Sequence, residues 1–212
     1  MTTPNKITIT RIFMIPFFVI MAVYYGRSVS HGEPQEWQRF AAMMIFFLAA
    51  ASDGLDGYIA RRYNQRSRLG VILDPIADKG LLLAGIITLS VSNWQYEMPA
   101  WFPVIVIARD VMVLSGVVVV HLFTGAVKVK PIWTGKVATA LQMIALSLVM
   151  LQWNPTIWRF SIGSWQTPVE FLDIPVYLAG LFTAVSGVGY IVEGIRQLQA
   201  GGHGDPKPKH EL

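Results

Sequence analysis

Four aspartates, Asp53, Asp56, Asp74 and Asp78, carry the densest chemistry in this sequence. Asp53 and Asp56 are three residues apart and share one face of a helix, as do Asp74 and Asp78, four apart. Gly57 and Ala60 continue the first face with almost no side chain, and Arg61 follows; Gly70 precedes the second pair. The link between the two helices is short, so they are antiparallel neighbours whose carboxylate faces can meet. On this reading Asp74 caps the later helix, with Pro75 in its first turn. Four ionised carboxylates in one place repel one another, and two divalent cations would neutralise them in number. Oxygen-only ligation suits Mg²⁺ or Mn²⁺ rather than Zn²⁺. Two such ions a few ångströms apart hold a pyrophosphate, polarise the attacked phosphorus and stabilise the leaving phosphate. Gly57, Ala60 and Gly70 would let a nucleotide come close to the backbone. The competing reading of Gly57 and Ala60 is a small-residue face for helix packing.

The elements that must position these carboxylates are apolar. Of 212 residues, 53% are hydrophobic and 14% charged, against about a quarter charged in soluble domains. There is no cysteine, which excludes disulfides, thiolate catalysis and thiolate-bound metals. A bilayer core takes roughly 20 apolar residues as helix. Six stretches qualify, near 7–25, 38–60, 75–92, 101–123, 134–151 and 175–195. Pro16 is expected to kink the first. That stretch resembles a signal peptide, with Lys6 and Arg11 ahead of it, but no small-residue cleavage site follows, so it reads as a retained span.

The expected fold is therefore an all-α integral membrane protein with six transmembrane helices. Lys6, Arg61, Arg62, Arg66, Arg68, Lys128, Lys130, Lys136, Arg196, Lys207 and Lys209 fall on one side. The other side keeps Arg27, Arg39 and Arg159, which places both termini in the cytoplasm. The net charge of +4 then reports cytoplasmic loops rather than nucleic-acid binding. Residues 1–197 form one domain, and 198–212 read as a disordered cytoplasmic tail. The segment 152–174, with Trp153, Trp158 and Trp165, reads as a loop at the membrane interface.

Asp53, Asp56, Gly57, Ala60, Arg61, then eight residues, then Gly70, Asp74 and Asp78 form a complete pattern that resembles the signature of the CDP-alcohol phosphotransferases. Eight fixed positions at fixed spacings make the match highly specific. The resemblance implies six transmembrane helices, a polar cavity facing the cytoplasm of a bacterial membrane, and dependence on two divalent ions. It implies that Asp53, Asp56, Asp74 and Asp78 ligate the metals and that Asp78 is also the catalytic base on the acceptor hydroxyl. It puts Gly57, Ala60, Arg61 and Gly70 against the CDP moiety of CDP-diacylglycerol. It further implies a homodimer.

The likeness extends over most of residues 1–150. Asn5, Thr8 and Arg11 look like the N-terminal segment of the phosphatidylglycerophosphate synthases within this family. Arg109 and Asp110 fall where those enzymes carry an Arg-Glu pair, and Gly135, Lys136, Thr139 and Gln142 resemble a further segment. Aspartate at 110 in place of glutamate also occurs in cardiolipin synthases of the same family. The acceptor therefore reads as glycerol 3-phosphate, giving phosphatidylglycerophosphate and CMP, with phosphatidylglycerol, inositol phosphate or serine as alternatives.

Arg109 lies in an apolar run and needs an anion. It could pair with a carboxylate, or grip the acceptor's phosphate together with Lys136, assisted by Arg196, Lys128 or Lys130. Glu193 is placed to pair with Arg196 three residues on. A different class of function, a divalent-cation transporter, would also use intramembrane carboxylates. Such proteins tend to carry internal repeats and interrupted helices at the midplane, and no repeat is present.

Overall fold

The computed structural model describes residues 3–62, 68–124, 132–152 and 171–201, and the regular structure among them is all α-helix. Six helices follow in order: α1 (Thr3–Ser30), α2 (Glu36–Arg62), α3 (Arg68–Val91), α4 (Trp101–Thr124), α5 (Trp133–Leu151) and α6 (Asp173–Gly201). Each expected apolar stretch lies within one of them, except that α3 ends at Val91, one residue short of the stretch expected to 92. α6 runs to Gly201, beyond the domain boundary expected at 197. The rest of the tail, the interfacial segment at 153–170 and the loop carrying Lys128 and Lys130 lie outside the described residues.

Among the described residues four helices are long and apolar enough to cross a membrane: Lys6–Ser30, Trp101–Phe123, Trp133–Leu151 and Asp173–Gln199. The outer surface agrees with this. Phe13, Val91, Leu114, Leu122, Phe123 and Trp133 are all largely exposed. In water such a surface would be a strong aggregation hazard; in hydrocarbon it is the proper solvent-facing side. The interior is a continuous cluster that includes Phe18, Phe46, Leu81, Ile86, Phe102 and Leu146. α1 packs chiefly on α2 and α3, and α6 on α4 and α5. Close approach is bought with glycine at Gly180, where an added Cβ would sit 2.6 Å from the Trp101 ring.

One expectation is corrected. Asp74 does not cap α3 with Pro75 behind it, because the helix begins at Arg68 and runs through both. A proline inside a helix loses one N–H bond and crowds the carbonyl four residues back. Unwinding Gly70–Leu73 in an apolar setting would leave more backbone groups unpaired, so the helix continues. Pro16 likewise lies inside α1, which is continuous from Thr3 to Ser30.

At the end of the bundle away from the aspartates, side chains tie the helices together. Gln152, in the left-handed conformation at φ 52°, closes α5. It donates to the Tyr25 hydroxyl at 2.6 Å and accepts from Arg39 at 2.5 Å. Arg39 also pairs with Glu36 at 2.7 Å. The Trp94 ring nitrogen donates to the Ala22 carbonyl at 3.2 Å, and Tyr96 donates to Asp173 at 2.7 Å. These bonds fix the ends from which α1, α3, α5 and α6 project toward the site.

Candidate active site

All the site residues lie toward one end of the bundle. The chain rises and falls through it six times, so that end collects the start of α1, the end of α2, the start of α3, the first half of α5 and the second half of α6. Arg109 and Asp110, in the middle of α4, complete it.

Asp74 and Asp78 share a face of α3, one turn apart, as their spacing requires. Both line a cavity of about 560 Å³, together with Lys79, Arg109, Asp110 and Gln142. The Asp78 side chain is 54% exposed to this space. Each carboxylate is held from α1. The Thr8 hydroxyl donates to Asp74 Oδ1 at 2.7 Å. One turn on, Arg11 Nη1 lies 3.4 Å from Asp78 Oδ1. Arg11 is fully buried, and its Nε donates to Ser52 Oγ at 3.2 Å. Ser52 in turn donates to the Ala49 carbonyl at 2.7 Å. Asp53 follows Ser52 directly, so α1 is tied to α2 at the start of the first aspartate pair.

Asp53, Asp56, Gly57, Ala60 and Arg61 lie in the last turns of α2, and Gly70 in the first turn of α3. Their backbone is helical, and their side chains fall outside the described residues. The donor chemistry that is described suits a hard cation: Asp74 and Asp78 bring carboxylate oxygens to the cavity, and no histidine or cysteine lines it among the described residues. They therefore fit Mg²⁺ or Mn²⁺.

Two cations, Lys79 on α3 and Arg109 on α4, also line the cavity. Asp110 binds Lys79 through Oδ2 at 2.9 Å and Arg109 through Oδ1 at 2.7 Å. Arg109 is braced from α6: Nη2 and Nε donate to Ser186 Oγ at 3.1 and 3.4 Å. Its guanidinium also sits 5.2 Å from the centre of the Tyr190 ring, a cation–π contact. Nη1 and Nη2 each carry a second N–H that these bonds do not use. Gly135 makes room for the group, since a Cβ there would lie 2.7 Å from Arg109 Nη2. Arg109 also lines a second cavity of about 500 Å³ with Lys136, Thr139 and Tyr190. The two cavities share Arg109 and Thr139 in their walls. Arg109 is thus paired with a carboxylate, the first of the two readings open to it in the sequence.

The structure does not bring Arg196 to this group. It is exposed on α6 beyond Tyr190 and lines neither cavity. Glu193 accepts from Gln197 at 3.1 Å instead of pairing with Arg196. Lys79 had been given no role by sequence reasoning, although a lysine directly after Asp78 in an apolar helix is itself an unusual charge. In the sequence Thr8 stands out only through a resemblance, and Arg11 through that and as a basic residue ahead of the first apolar run. Their pairing with α3 is long-range and leaves no local pattern.

The model of the family described as CDP-alcohol phosphatidyltransferase matches residues 1–185. The chain belongs to the CDP-alcohol phosphatidyltransferase family. Among its relatives is a protein of Escherichia coli (strain K12) named CDP-diacylglycerol--glycerol-3-phosphate 3-phosphatidyltransferase. The two are 36% identical over 191 residues, 89% of this chain and 92% of the relative. A protein of the same name from Shigella flexneri serotype 5b (strain 8401) is 34% identical over the same shares.

Proposed function

We propose that this chain transfers a phosphatidyl group from CDP-diacylglycerol to glycerol 3-phosphate, forming phosphatidylglycerophosphate and CMP in phospholipid synthesis. The observation that carries the reading is the continuity of the site. The carboxylates of α3 and Arg109 of α4 line one cavity, and Arg109 opens that cavity toward Lys136. The names of relatives matching 89% of the chain support glycerol 3-phosphate as acceptor.

Asp53, Asp56, Asp74 and Asp78 would hold two divalent ions, which when bound supply neutralisation of the pyrophosphate charge and polarisation of the attacked phosphorus. Gly57, Ala60, Arg61 and Gly70 take the CDP moiety, on the resemblance of their spacing to the family pattern. Arg109 and Lys136 bind the phosphate of glycerol 3-phosphate and turn its 1-hydroxyl toward the α3 carboxylates. Asp78 accepts the proton of that hydroxyl as the oxygen attacks the lipid-side phosphorus. The bond from that phosphorus to the CMP oxygen breaks, and CMP leaves.

In the membrane, all six helices cross the bilayer with both termini and the site at the cytoplasmic face. This orientation is supported by the excess of Lys and Arg at the end that carries the aspartates. The homodimer implied by the family resemblance belongs to the same reading.

Purified protein given CDP-diacylglycerol, Mg²⁺ and glycerol 3-phosphate is expected to release CMP, with omission of the alcohol reducing release to background. A divalent-cation transporter would release no CMP under any of these conditions, and that outcome would overturn the reading.

A further inference from the structure

We propose that Thr8 is a positioning residue for the metal-binding carboxylates: by fixing one oxygen of Asp74 it aims the other into the cavity before any ion arrives. The inference rests on the proposal that Asp74 is a metal ligand.

Thr8 is fully buried, so its hydroxyl has no water to satisfy it and depends on protein partners. It donates to Asp74 Oδ1 at 2.7 Å across the gap between α1 and α3. A carboxylate is free to rotate about its last bond and presents lone pairs in several directions. A donor on Oδ1 removes that freedom. Among the described residues Oδ2 takes no hydrogen bond, and Asp74 lines the cavity.

The donor is itself held in place. α1 and α3 run parallel here, and a second contact lies one turn on, between Arg11 and Asp78 at 3.4 Å. Arg11 is buried and bonded to Ser52 Oγ at 3.2 Å. The helix that carries Thr8 is thus locked to both aspartate-bearing helices. Partners that orient a metal-ligating carboxylate typically change metal affinity by about 10–100-fold when removed.

The probe is Mn²⁺ alone, titrated into detergent-purified, metal-free full-length protein and followed by the electron paramagnetic resonance of the free ion. No lipid substrate or turnover is needed. Thr8→Val keeps the shape of the side chain and removes the donor; its Kd for Mn²⁺ is expected to rise by about 10–100-fold. Thr8→Ser restores the hydroxyl and is expected to bind within about threefold of the wild type, well inside that range. The thermal midpoint of the metal-free protein, read alongside, separates loss of orientation from loss of fold. If Thr8→Val does not yield folded protein, Thr8→Ala, which removes the donor without adding bulk, carries the same expectation. Equal Mn²⁺ affinity in the wild type and the hydroxyl-free variant would overturn this inference alone. Absence of Mn²⁺ binding to the wild type would overturn the metal reading, and this inference with it.

Discussion

Asp78→Asn is expected to lower kcat by about 10²–10⁴-fold, the range typical of a lost general base, while the KM for CDP-diacylglycerol changes only a few-fold. Asparagine has the same shape and can still accept through its oxygen, but it cannot take a proton from an alcohol. Asp78 suits the role by geometry. Its side chain is 54% exposed and lines the cavity, so an acceptor hydroxyl can reach it beside the contact with Arg11 at 3.4 Å. Arg11 is buried, and stripping a buried cation of its anion is costly. Here it keeps Ser52, so the variant is expected to fold. Single-turnover measurement at saturating CDP-diacylglycerol checks the effect on chemistry. Activity within tenfold of the wild type would remove Asp78 from the role of base.

Arg109 gives the complementary result. Arg109→Gln is expected to raise the KM for glycerol 3-phosphate by about 10–100-fold, corresponding to a lost charge-assisted bond of about 1.5–3 kcal/mol. The KM for CDP-diacylglycerol should move little. Arg109→Lys keeps the charge but not the planar fork, and should fall between. Asp110 would not be stranded in either variant, because Lys79 remains 2.9 Å from it. Steady-state kinetics with each substrate varied in turn read the two constants apart. A rise confined to the KM of CDP-diacylglycerol would move Arg109 from the acceptor side of the cavity to the donor side.

The two residues also show how far the sequence could be read. Helix positions followed from apolar length alone, because a bilayer demands about 20 such residues and tolerates no unpaired backbone. The register of Asp74 and Asp78 followed from helical geometry. The start of α3 did not: Asp74 before Pro75 has the form of a helix cap, and only the structure shows the helix running back to Arg68. The partners of the carboxylates were hidden for a different reason. Thr8 and Asp74 are 66 residues apart, and nothing in local spacing pairs them. Arg109 was legible as a buried cation that needs an anion. That the anion is its own neighbour Asp110, at 2.7 Å, with donors to spare, is a matter of side-chain direction. Lys136 and Arg109 line one cavity, whereas Arg196 lies outside both, which no spacing in the sequence shows.

The acceptor is the point on which the whole reading turns. Radiolabelled glycerol 3-phosphate should be incubated with purified protein, Mg²⁺ and CDP-diacylglycerol, and the label in the organic phase compared with CMP released. Label entering lipid in equal amount to CMP, with no CMP formed when phosphatidylglycerol replaces glycerol 3-phosphate, is the expected result. CMP release with phosphatidylglycerol and none with glycerol 3-phosphate would contradict it, leaving the carboxylate chemistry in place but assigning the cavity at Arg109 and Lys136 to a lipid alcohol.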